Sequence, residues 1–344
     1  MKKVLTVILV VLMTFSAVFA QGQGESNTSV TMKGTDGMVK AEDFGRTVTP
    51  ARKYTIAVVV KSAAISVWES HIIAAEKAGE ALGVEVVAYT PSKADNVEEQ
   101  KRILEDLITS GVDAVVLAPA NTEAVRGPVQ DLINAGIPVI YDNTMGPSDV
   151  DYLTYVGIDN EEAGRIIARE VAERIGGEGN VLLLEGVPGQ STSDLRIKAA
   201  KEVFANEYPN IVVESAVTNW LFDEGRKVTE DYITKWGDKL SAVAAVGGNQ
   251  AEGAAEAVKA AGMSGKVLVT GFDVQEPQFN AVVNGDEAFT VSQNVYDQAY
   301  LSVVAAVKAL NGEEVPRYIA CEVTIVDKDN IVAADERPEA LQNR

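Results

Sequence analysis

The chain has 344 residues, 47% of them apolar, enough for two domains with sizeable cores. Its formal net charge of −20 repels phosphate backbones and anionic lipid, which argues against nucleic acid as a partner and suits a neutral ligand. The single cysteine, Cys321, cannot make an internal disulfide, so the fold must rest on its core.

The chain opens with the pattern of a secretory signal. Met1, Lys2 and Lys3 form a short basic stretch, an apolar run follows from Val4, and Val18, Phe19 and Ala20 put small or apolar groups at a cleavage site after residue 20. Residues 21–53 are rich in Gly, Ser, Thr and Gln without periodicity and read as a flexible arm. From there strand and helix alternate. A strand is predicted over 54–60, a helix over 66–82 and a strand over 84–88. Asn96 with Glu99 has the spacing of a capping box, opening a helix whose apolar face carries Ile103, Leu104, Leu107 and Ile108. Strands follow over 114–117 and 137–141. The same rhythm restarts after Asp159, with strands over 181–184, 211–213, 242–246, 267–270 and 288–292. Short apolar strands separated by helices imply α/β architecture, with parallel sheets covered on both faces in two units of similar size.

Catalytic chemistry is sparse. The one histidine, His71, lies within a predicted helix, with no triad spacing around it. The loop over 186–192 lacks the lysine of a phosphate-binding loop, and the acidic run at 327–330 lacks the glycine and closing glutamate of a calcium loop. No cofactor and no enzyme activity are expected.

In open parallel sheets ligands bind beyond the carboxyl ends of strands. Asp142 and Asn143 follow one predicted strand, Asn249 another, Asp273 a third and Gln293 a fourth. Carboxylates and amides suit polyol hydroxyls, because they accept or donate several bonds in fixed directions. Each could instead be a turn former or a helix cap; Asn249 has the position of a cap. Their shared placement at strand ends is what points to a site. Trp68, early in the first helix, and Trp220, in a loop before a helix, offer indole faces for the apolar side of a sugar ring. Arg196, near the start of another helix, is a bidentate donor for adjacent hydroxyls.

With these residues in place, the sequence over about 54–328 resembles the periplasmic sugar-binding proteins of the ribose and xylose type that serve ABC transporters. The stretches that carry the resemblance are Gly136-Ile137-Pro138-Val139-Ile140-Tyr141-Asp142, Val156-Gly157-Ile158-Asp159-Asn160-Glu161-Glu162-Ala163-Gly164, Gly248-Asn249-Gln250-Ala251-Glu252-Gly253-Ala254 and Val269-Thr270-Gly271-Phe272-Asp273. The resemblance implies a type I periplasmic binding fold, two doubly wound parallel-sheet lobes joined by a three-crossing hinge. Lobe 1 would take 54–158 and 294–322, and lobe 2 would take 159–293 and 323–344. It implies a monosaccharide ligand held by Trp68, Asp142, Asn143, Arg196, Trp220, Asn249, Asp273 and Gln293, a monomer, and a membrane ABC permease as partner in the periplasm. A chemoreceptor or sensor kinase reading the closed form is the alternative partner, and a nucleoside, inositol or autoinducer the alternative ligand. The sequence departs from the family pattern at Asn143, where many members carry Arg, and at Ala64, Ile65 and Ser66, where Asn and Pro are frequent. The Trp68–Trp220 pair is closer to xylose-type than to ribose-type members.

Overall fold

The computed structural model describes residues 34–62 and 65–342. The expected signal peptide, residues 1–20, lies outside the described residues, as does Ala64.

The first unit runs β1 (Thr35–Lys40), α1 (Ala41–Phe44), β2 (Thr55–Val59), α2 (Ser66–Leu82), β3 (Glu85–Tyr89), α3 (Val97–Ser110), β4 (Ala114–Leu117), α4 (Arg126–Asn134), β5 (Val139–Asp142) and β6 (Thr154–Gly157). The second runs α5 (Asn160–Arg174), β7 (Gly179–Glu185), α6 (Ser191–Glu207), β8 (Ile211–Val217), α7 (Phe222–Trp236), β9 (Leu240–Ala245), α8 (Gly248–Ala260), β10 (Leu268–Thr270), α9 (Glu276–Asn284) and β11 (Thr290–Ser292). The chain then returns through α10 (Val295–Leu310) and β12 (Pro316–Ala320), and closes with β13 (Thr324–Val326) and α11 (Pro338–Gln342).

Two parallel sheets result. One has seven strands in the order β1-β12-β6-β5-β4-β2-β3, the other four in the order β10-β9-β7-β8. The central strands are buried on both faces, which is why Val58, Val116, Ile140, Leu183 and Val243 sit in unbroken apolar runs rather than alternating ones. The starts of α3 and α5 show side-chain capping: Asn96 Oδ1 accepts from Glu99 N (3.1 Å) and Asp159 Oδ1 from Glu162 N (2.9 Å). Helix α10 is buried along nearly its whole length and packs against α2, clamping the returning segment under the seven-stranded sheet.

Two expectations change. Residues 34–53 are not a loose arm. β1 pairs in parallel with β12 and becomes the edge of the large sheet. Ala41 and Phe44 are buried, and Lys308 Nζ donates to Phe44 O (2.8 Å). The sequence Thr-Asp-Gly-Met-Val-Lys has an exposed outer strand's composition, so its signal is backbone pairing with a partner about 280 residues away, which periodicity cannot register. The predicted strand over 288–292 also differs: it runs beside the end of β10, where Ala288 N donates to Val269 O (2.8 Å) and Asp273 N to Val291 O (2.8 Å), but its regular pairing is antiparallel, between β11 and β13. The tail after β12 serves both units: β13 joins β11, whereas α11 packs against α2. Among the described residues no helix is long and apolar enough to cross a membrane.

Candidate functional site: a cleft between the two sheets

A cleft of about 620 Å³, counting the open space at its mouth, lies where the strand ends of the two units face each other. Lys61, Trp68, Asp95 and Asn143 line it from the seven-stranded unit. Thr192, Arg196, Trp220, Asn249, Asp273 and Gln293 line it from the other side. Seven of the eight residues selected from the sequence therefore meet at one place.

The eighth, Asp142, does not line the cleft. Side chains alternate along a strand, so Asp142 shares its face with Ile140 and points into the α2/α10 layer. It is 1% exposed, its Oδ1 lies 3.4 Å from Ser302 Oγ on α10, and its Oδ2 lies 3.7 Å from His71 Nε2 on α2. Burial with little polar compensation pushes its carboxyl up to about 8, and burial pushes the His71 imidazole down to about 4. The next residue, Asn143, reaches the cleft because its backbone turns left-handed (φ 61°).

The floor of the cleft is a connected polar network. Asn143 Nδ2 donates to Gln293 Oε1 (2.8 Å) and Gln298 Oε1 (3.2 Å). Gln293 Oε1 also accepts from Arg196 Nη2 (3.2 Å), and Gln293 Nε2 donates to Asp273 Oδ1 (2.5 Å). Arg196 is fixed by Asn160 Oδ1 (2.8 Å) and Val246 O (2.9 Å), and its guanidinium lies 3.8 Å from the centre of the Phe272 ring. Burial lowers its pKa to about 10, so it stays cationic at neutral pH; burial raises that of Asp273. Gln293 thus ties residues of both units to one hub. Asn249 sits in the first turn of α8, which starts at Gly248 rather than after Asn249, so its side chain caps nothing and faces the cleft.

Trp220 is held in a slot. A Cβ at Gly186 would stand 2.0 Å from its ring and one at Gly247 would stand 2.5 Å away, so both positions must be glycine for the indole to lie there. Trp220 itself has φ 61°, a left-handed conformation that costs a bulky residue about 1–3 kcal/mol. Asp273, at φ 73°, shares this feature. Strained residues gathered around one cavity mark a place where side-chain aim outweighs local stability.

Sequence reasoning missed Lys61, Asp95, Gln190, Thr192, Gln275 and Gln278. Lys61 directly follows a strand, so the strand-end rule could have found it. Gln190 lay in a loop considered only for phosphate binding. It bridges the cleft: its Oε1 accepts from Lys61 Nζ (3.0 Å) and Trp220 Nε1 (2.9 Å), and its Nε2 donates to Asp95 Oδ1 (2.7 Å) and Ala120 O (3.0 Å). Nothing in the local sequence signals Gln275 and Gln278.

Residues 56–314 match the family described as periplasmic binding protein domain. This chain belongs to that family. Among its curated relatives, the D-xylose-binding periplasmic protein of Escherichia coli is 28% identical over 269 residues, covering 77% of this chain and 80% of that one. The xylitol-binding protein of Mycolicibacterium smegmatis is 31% identical over 249 residues, covering 71% and 70%. Among solved structures, an ABC transporter periplasmic solute binding protein from Actinobacillus succinogenes with bound D-allose superposes with a TM-score of 0.77 at 30% identity, covering 82% of this chain and all of that one. In a periplasmic binding protein domain the type I fold accounts for the paired parallel sheets and for a cleft built from their strand ends.

Proposed function

We propose that this protein captures one monosaccharide, a pentose or hexose, between its two lobes and delivers it to an ABC transporter permease. The observation that carries the reading is the cleft itself: two indoles and a buried Arg196–Gln293–Asp273 network meet at the strand ends of two sheets. An indole covers the apolar face of a pyranose, while the fork of Arg196 and the carboxylate of Asp273 provide complementary donors and acceptors for neighbouring hydroxyls. Trp68, Asn143, Arg196, Trp220, Asn249, Asp273 and Gln293 are the contacts; Asp142 supports the wall behind them.

The lobes divide close to residues 158, 293 and 322, with residues 34–53 added to the first. A ligand touching both lobes favours the closed form by its extra contacts there, and the permease reads that form. Residues 1–20 are the cleaved signal that exports the chain to the periplasm, where it acts as a monomer. The relatives that carry D-xylose, xylitol and D-allose in their names support a polyol ligand. The test is tryptophan fluorescence against D-xylose, D-ribose, D-allose, D-arabinose, D-galactose, myo-inositol and adenosine. Saturation by one monosaccharide, lost in Trp220→Ala, supports the reading; saturation by adenosine alone overturns it.

A further inference from the structure

Lys61 stands at the tip of β2, 3% exposed, on the cleft wall beside Trp68, whose ring centre lies 5.4 Å from Nζ. An ammonium carries three N–H donors. Among the described residues one acceptor meets them, Gln190 Oε1 at 3.0 Å, and that oxygen is already shared with Trp220 Nε1. No ion pair of Lys61 is found among the described residues. The carboxylate of the nearby Asp95 is engaged by Gln190 Nε2 instead. A buried cation with N–H groups to spare, on the wall of a cavity, is a group placed for an incoming acceptor.

The opposite wall repeats the imbalance. Gln275 and Gln278 are 1% and 2% exposed and line the same cleft, and the Nε2 of each has no partner among the described residues. Donors with N–H groups to spare thus stand on both sides of the cleft, and of Lys61, Gln275 and Gln278 it is Lys61 that carries charge.

Resting on the monosaccharide reading above, we infer that Lys61 is a specificity-determining contact: its ammonium donates to one particular oxygen of the bound sugar and selects against sugars lacking an acceptor there. Among the described residues the one acceptor of Lys61, Gln190 Oε1, belongs to the other unit, so the ammonium is held in this position only when the two units face each other.

The experiment is calorimetric. Wild type and Lys61→Met, which keeps the length of the side chain and removes its donors, are titrated with D-xylose, D-ribose, D-allose, D-arabinose and D-galactose. The tightest of these is then compared with its monodeoxy analogues. The expected result is that one deoxy position costs wild type roughly tenfold to a hundredfold in Kd but costs Lys61→Met less than about threefold, while the other positions cost both proteins alike. Uniform weakening across all analogues, or binding indistinguishable from wild type, overturns the inference and leaves the monosaccharide reading standing. A wild-type protein that binds none of the five sugars overturns both. Should Lys61→Met show no cooperative melting, Lys61→Ala, which also lacks the donors, is read by the same comparison of deoxy positions.

Discussion

Asp142→Asn separates two accounts of the residue that ends β5. If the carboxylate touched ligand, losing its charge would weaken binding. The structure places it behind the cleft wall, 3.7 Å from His71 Nε2, with Oδ2 unpartnered among the described residues. Burial raises the Asp142 carboxyl from an ordinary value near 4 up to about 8. The folded state therefore holds this proton more tightly than the unfolded chain does. The resulting stability is fully present below about pH 4 and is lost as pH rises through about 8. At about 1.36 kcal/mol per pKa unit, the loss is on the order of 5 kcal/mol. His71 works in the opposite sense. Its folded value is lowered to about 4, so its share is present above about 6.5 and lost as pH falls toward 4. The two slopes oppose each other between about pH 4 and 6.5, and Asp142 alone acts between about 6.5 and 8. Asn mimics the protonated acid and does not titrate. The variant's melting temperature, read by circular dichroism from pH 5 to 8.5, should rise relative to wild type as pH rises, by several degrees at the upper end, with ligand Kd within about twofold of wild type. A loss of affinity beyond tenfold, with no pH-dependent gap in melting temperature, would refute the placement of Asp142 and restore it as a ligand contact.

Gly247→Ala should drive the Trp220 indole out of its slot, since the new methyl would lie 2.5 Å from the ring. The expected outcome is at least a tenfold rise in ligand Kd and a red-shifted tryptophan emission, with melting temperature lowered by only a few degrees. Gln190→Ala removes the hydrogen bonds that link Lys61, Asp95 and Ala120 to the second unit. Without ligand, this variant should have a larger radius of gyration by small-angle scattering than wild type, and saturating sugar should restore the compact value.

Much of the fold was legible because parallel strands buried on both faces leave continuous apolar runs such as Ala114–Leu117, and because Asn96 announces its helix by capping chemistry. The site was legible for a related reason. Strand ends are where α/β sheets bind, and Asn143, Asn249, Asp273 and Gln293 all follow strands. What escaped depended on three-dimensional detail. The choice between Asp142 and Asn143 turns on strand parity and one left-handed backbone angle, neither visible in residue types. β1 is an edge strand defined by its distant partner. Gln190 gains meaning only when the two units face each other, because its partners Lys61 and Asp95 lie in the other unit. Gly186 and Gly247 read as loop glycines until the indole between them is seen.

The central claim, that the cleft between the two sheets binds one monosaccharide, is tested most directly by native mass spectrometry of ligand-stripped protein incubated with the five sugars and adenosine. The account predicts a single sugar adduct per chain for one or a few of the monosaccharides, saturating with concentration and absent in Trp220→Ala. An adenosine adduct with no saturable sugar adduct, or a sugar adduct that persists unchanged in Trp220→Ala, would contradict it.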